Sequence, residues 1–187
     1  MKALTGMQRR TFTSLLLATP WAVQAQTDAL ALRLQAGACA VMLRHAKTEP
    51  GIGDPPGFML DRCSTQRNLS PAGRAQAAGI GDWFKRHGQR PGAVQSSAWC
   101  RCKDTANLAF GSHVVWPALN SFFGDYSAGD AQTAQLRSAL ETIPAGRFEV
   151  WVTHQVNMIA LTGASMAMGE ALVVDAAGKV IARSPFA

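Results

Sequence analysis

Charge is scarce in this chain: Asp, Glu, Lys and Arg make up 16% of its 187 residues, against about a quarter in an average globular protein. With 48% hydrophobic residues besides, the composition excludes a disordered segment, which needs the opposite balance. Lys and Arg never gather into a block, so the basic arm of a nucleic-acid binder is missing. After residue 25 no apolar run reaches the ~20 residues that a membrane-spanning helix needs. Internal repeats, low-complexity tracts and any sign of a second domain are missing as well. Histidine is rare, with four in the chain. Cys100-x-Cys102 is one residue short of the usual zinc spacing, and no histidine pair lies near it. Neither a metal site nor another cofactor is expected.

What is present begins with a leader. Lys2, Arg9 and Arg10 precede an apolar stretch from Phe12 to Val23, and Val23-Gln24-Ala25 ends in small residues. Residues 1–25 therefore read as a secretory signal peptide, and Gln8-Arg9-Arg10-Thr11-Phe12 has the look of the twin-arginine type. The stretch is too short for stable membrane insertion, so residues 26–187 are expected to be a single periplasmic or secreted domain. The whole chain carries a net charge of +6; three of its 18 basic residues and none of its 12 acidic ones fall in the first 25, which leaves +3. That mild excess fits a few arginines gathered around an anionic substrate better than a nucleic-acid surface.

The rest of the chain alternates between two periodicities. Residues 39–44 form an apolar run of strand length, followed by a Pro- and Gly-rich loop from 47 to 69 that is long enough to carry function. Ser70-Pro71 is a helix start, an N-cap followed by proline, and Gly88 follows the end, so a helix is expected over 71–87 with Ala75, Ala78, Ile80, Trp83 and Phe84 facing inward. Further strands are expected at 92–96, 114–116 and 148–153, and helices at 100–109, 130–142 and 156–161. A hairpin pairs 171–174 with 179–182. This alternation implies an α/β three-layer sandwich, a mostly parallel sheet flanked by helices.

Three of these strands end in polar residues. Arg44 and His45 follow the first, Arg101 starts the helix after the second, and Thr153-His154 closes the strand at 148–153. Open α/β sheets bind ligands at such carboxyl ends. In order, Arg44-His45-Ala46-Lys47-Thr48, Leu69-Ser70-Pro71-Ala72-Gly73-Arg74-Ala75-Gln76-Ala77, Ser96 to Ala106, and Thr153-His154 resemble the motifs of the histidine phosphatase superfamily, also called phosphoglycerate-mutase-like. The resemblance spans about residues 39–165.

That resemblance implies a catalytic set. His45 would be the nucleophile, forming a phosphohistidine that water then cleaves; Arg44 and Arg101 would grip the phosphate in charge-assisted forks, and His154 would complete the cage. Thr48, Gln66 and Arg67 are candidates for substrate binding. Trp99, Trp116, Phe122 and Phe123 are assigned to the core. Cys63 is expected to pair with Cys100 or Cys102, clamping a pocket loop beside Arg101. Two departures stand out: Ala46 replaces a glycine, and Asn120 falls where many relatives carry a glutamate acid, so Asp125 becomes the substitute proton donor. The expected function is that of an exported, metal-independent phosphatase acting on a phosphomonoester or phosphoanhydride, small or envelope-linked. The alternative is a phosphate- or phosphoglycan-binding module with little turnover.

Overall fold

The computed structural model of the protein describes residues 29–184 and residue 186; the expected signal peptide lies outside them. Its strands are β1 (Cys39–Arg44), β2 (Ala93–Ser96), β3 (Val114–Val115), β4 (Phe148–Thr153), β5 (Ala171–Asp175) and β6 (Val180–Ser184). Helix α1 covers 29–36, and α2 (Pro71–Arg86), α3 (Cys100–Phe110), α4 (Gly129–Thr142) and α5 (Gln155–Thr162) follow. The strands make one sheet in the order β3-β2-β4-β1-β5-β6. β1 to β4 run parallel, and the terminal hairpin adds β5 and β6 antiparallel.

β1 reads as an unbroken apolar run because both of its faces are covered. Val41 and Leu43 pack with Leu34 of α1, Ile80 and Phe84 of α2 and Ala106 of α3. Ala40 and Met42 point the other way, into a layer with Leu136 and Leu140 of α4 and Met158 and Leu161 of α5, as the two-residue period of a strand requires. This is the expected three-layer sandwich. Neighbouring strands β1 and β4 thus send their next helices to opposite faces, which opens a crevice beyond their carboxyl ends.

Helix α2 starts as its sequence foretells. The Ser70 hydroxyl accepts the Gly73 N–H at 3.1 Å, with Pro71 in the first turn. Its inner face is different from the one expected: Ala75 and Ala78 are exposed, while Gly73, Ala77, Ile80, Gly81, Trp83 and Phe84 are buried. The phase is set by two glycines that touch backbone. A Cβ on Gly73 would run into the Lys47 carbonyl, and one on Gly81 into the Ala109 carbonyl. The first contact presses the start of α2 against the chain just past His45. The loop over 47–69 is pinned by a bridge between Thr48 and Leu69 and by a short 3-10 turn at Cys63–Thr65.

Candidate active site

The crevice between β1 and β4 is a cavity of about 770 Å³ lined on its floor by Arg44, His45, Arg101 and His154. Residues 53 to 110 positions apart in sequence meet here because three strands end on the same edge. His45 continues the ladder by donating its backbone N–H to the Thr153 carbonyl at 3.0 Å, and the two imidazoles lie edge to face with centroids 5.4 Å apart. Both histidines are buried.

The His45 ring is fixed by its own neighbour. Nδ1 lies 2.9 Å from the Ala46 carbonyl, which can only accept, so Nδ1 carries the proton and Nε2 keeps its lone pair. Burial, then the charge of Arg101, pushes the His45 pKa down to about 3, with Arg44 and Arg67 acting in the same direction and the Ala46 bond opposing them. The ring is a neutral base at neutral pH. His154 is likewise held well below the usual imidazole range by burial, then by His45 and the arginines. Its Nε2 lies 2.9 Å from the Ser97 hydroxyl and 3.4 Å from the Cys102 thiol. Ser97 also donates its hydroxyl proton to Asn120 Oδ1 at 3.2 Å, so the hydroxyl links His154 to Asn120.

Arg101 is almost wholly buried, and its Nη1 donates to Asp54 Oδ1 at 2.7 Å. Arg44 Nη1 donates to the Met166 carbonyl at 2.8 Å. In both residues Nε is buried and bonds no protein group. Two buried donors in need of an acceptor mark a site for an anion. Burial, then neighbouring arginines, lowers the pKa of Arg44 and of Arg67, which stay charged because the guanidinium starts so high.

Asp54 is the residue that sequence reasoning missed. Its carboxylate accepts from Arg101, from Trp99 Nε1 at 2.9 Å and from the Arg67 backbone N–H at 3.0 Å. Burial raises its pKa, and these three donors outweigh that and hold the carboxyl below its ordinary value. It is an ionised clasp between the long loop and the arginine at the start of α3. Glu49 and Asp61 flank it in the same loop, and nothing in the local pattern separates the three.

The remaining expectations divide. Arg67 lines the cavity, with Nε and Nη1 of its guanidinium bonded to the Gly53 and Gly51 carbonyls and to Thr48 Oγ1, at 2.7 to 2.8 Å. Thr48 lies behind it, outside the lining, and braces the arginine. Gln66 does not line the cavity either: its amide donates to the Met59 and Leu60 carbonyls and accepts from the Cys100 N–H, which knots the loop to α3. The disulfide joins Cys63 to Cys100 across 37 positions. Cys102 is a free, fully buried thiol, pushed up to about 12 chiefly by burial, so it is an inert packing group. Phe123, assigned to the core, is 57% exposed at the cavity mouth.

The model of the histidine phosphatase superfamily, branch 1, matches residues 40–185. The chain belongs to this family. No curated protein sequence matches it significantly. Among solved structures it is similar to a protein of Agrobacterium tumefaciens assigned as the phosphohistidine phosphatase SixA, at 22% identity and TM-score 0.51, covering 73% of this chain and 91% of that one. A second SixA protein histidine phosphatase, complexed with tungstate, gives 15% and 0.53 over 79% and 97%. The mycobacterial glucosyl-3-phosphoglycerate phosphatase, complexed with VO3, gives 17% and 0.53 over 73% and 92%. Identities this low establish the fold alone.

As a histidine phosphatase the chain keeps both histidines and both arginines and departs elsewhere. Ala46 costs nothing in place of glycine, because its φ is not in the left-handed region and its N–H reaches Thr105 Oγ1 at 3.0 Å. Asn120 lies outside the lining, its Oδ1 accepting from the Ala98 N–H at 2.8 Å. Asp125 does not take the acid's place: it is exposed, lies outside the lining and caps a 3-10 turn by accepting the Ser127 N–H at 3.1 Å. Hydrogen bonds to Ser127 lower its pKa, the wrong direction for a proton donor. Among the described residues Asp54 is the only carboxyl lining the cavity, and none of them form a His, Cys, Asp or Glu group arranged to hold a metal.

Proposed function

We propose that this histidine phosphatase is an exported, metal-independent enzyme that hydrolyses a phosphomonoester or phosphoanhydride through a phosphohistidine on His45. One observation carries the reading: a neutral imidazole with its Nδ1 proton fixed on the Ala46 carbonyl stands beside two buried arginine Nε donors that bond no protein group. Nε2 attacks phosphorus as the bond to the leaving oxygen breaks, and the arginines and His154 hold the equatorial oxygens. Water then attacks the phosphohistidine, the P–N bond breaks, inorganic phosphate leaves and the imidazole is restored. The three arginines at the cavity supply the charge that a metal would otherwise bring. The disulfide is compatible with export.

With no free carboxyl at the cavity among the described residues, the leaving oxygen takes its proton from solvent. Turnover is therefore expected to fall steeply as the leaving group becomes less acidic, since a general acid contributes about 10²–10⁴-fold. The test is kcat/KM across aryl, acyl and alkyl phosphates in excess chelator. A steep, chelator-resistant series supports the reading; activity lost to chelator and restored by Mg²⁺ or Zn²⁺ contradicts it. The same missing acid favours the second reading, a phosphate- or phosphoglycan-binding module, which predicts vanadate binding with no turnover of even the most activated ester.

A further inference from the structure

The arginines and histidines occupy the floor of the cavity, and its mouth is a different surface. Ile52 is 90% exposed, Tyr126 65%, Phe123 57%, Ile159 44% and Phe58 37%, and all five line the cavity. They come from three separate segments: the long loop, the stretch after β3, and α5. Among the described residues ten large hydrophobics are exposed, so half of them ring one opening. Scattered apolar residues need no explanation, whereas a convergence on a concave site marks binding.

Charge sets the other limit. Arg44, Arg67, Arg101 and Asp54 are the charged residues of the lining, three guanidiniums against one carboxylate. Their surplus matches one phosphate dianion and leaves nothing for a second anionic group. Arg67 cannot turn outward without losing its bonds to Gly51, Gly53 and Thr48. Beyond the cage the polar side chains available are few, chiefly Ser121, Gln155 and the Tyr126 hydroxyl, too sparse to read a polyhydroxylated sugar.

We infer that the substrate is the monophosphate of an uncharged, apolar hydroxyl compound acidic enough to leave without a general acid, a phenol or enol rather than an alkanol, with its hydrocarbon against Ile52, Phe58, Phe123, Tyr126 and Ile159 while the phosphate lies in the cage. It enters as a single molecule, because the cage is recessed beneath a ring of side chains rather than spread on a flat face. Attack by His45 forms the P–N bond, breaks the ester P–O bond and releases the hydroxyl compound, which takes its proton from solvent; water then breaks the P–N bond and releases inorganic phosphate. This deepens the phosphatase reading and rests on it for the role of the cage.

The test uses non-hydrolysable alkylphosphonates, so it does not depend on turnover. Calorimetry of the intact protein with methyl-, butyl-, hexyl- and octylphosphonate, each below its micelle concentration, is expected to show binding tightening about twofold per methylene, half of what complete burial gives. That amounts to roughly 100-fold from methyl to octyl by the same rule. The octyl-to-methyl ratio is expected to collapse in the Phe123→Ser, Ile159→Ser double variant. A flat series in wild type, with methylphosphonate and vanadate still bound, overturns the apolar assignment and leaves the cage standing. Tighter binding of a phosphonate of equal length ending in a carboxylate overturns it too. Failure of methylphosphonate, inorganic phosphate and vanadate alike to bind overturns the cage reading and this one with it.

Discussion

His45 and Arg101 do different work at the residue scale, and the difference is testable. Arg101 holds Asp54 through Nη1 while its buried Nε bonds no protein group, a division of labour that needs a planar fork. Arg101→Lys retains the charge and loses the fork. A loss of about 10²–10³-fold in kcat/KM is expected, the scale on which single anion-stabilising donors matter; a loss under threefold would show that charge alone suffices. The histidines make a separate prediction about pH. Unfolded, each titrates near 6.5; folded, His45 titrates at about 3 and His154 is displaced in the same direction. The unfolded chain binds protons that the folded site refuses, so stability is full above about 6.5 and declines as pH falls from there towards 3, by up to ~1.4 kcal/mol per pH unit for each group. Urea unfolding at pH 7.5 and 5.5 is expected to show a smaller decline in His45→Asn than in wild type. Equal declines would mean that His45 is not held neutral by the fold.

At the scale of elements, the decisive unit is the long loop. Three ties bind it to the start of α3: the Cys63–Cys100 disulfide, the Gln66 bond to the Cys100 N–H and the Asp54 carboxylate on Arg101 and Trp99. A bridge closing 37 positions contributes about 4 kcal/mol in the chain-entropy model. The Cys63→Ser, Cys100→Ser variant is therefore expected to lose on the order of 10 °C in Tm and to raise KM more than it lowers kcat, because the loop orders Arg101 and the mouth rather than His45. A reduced protein with unchanged Tm and KM would show that the remaining ties suffice. This loop also marks the limit of sequence reading. Strand ends and helix caps were legible, because apolar runs stop at Arg44 and at His154 and Ser70-Pro71 punctuates α2. The path of the loop was not, because it is set by side chains bonding distant backbone. Gln66 and Thr48 are spent in that way, Arg67 in part, and Asp54 emerges as the residue that joins them to the cage.

At the scale of the whole molecule, the parallel sheet makes the site. Placing α2 and α5 on opposite faces opens the crevice between β1 and β4, and the motif glycine Gly73 holds α2 against the chain past His45. The order of motifs was enough to read this architecture, since each motif lies where a strand ends. What faces the cavity mouth was less legible: Phe123 has the composition of a core residue, and only the packing of three segments around one opening turns it outward. The central claim, that His45 is the phosphorylated group, is tested most directly by rapid alkaline quenching of the intact protein with an activated aryl phosphate, followed by peptide mapping. The account predicts acid-labile, alkali-stable phosphate approaching one per chain on the peptide containing His45, and none in His45→Ala. Turnover without any such phosphoprotein, or phosphate carried on His154 with His45→Ala still active, would contradict it.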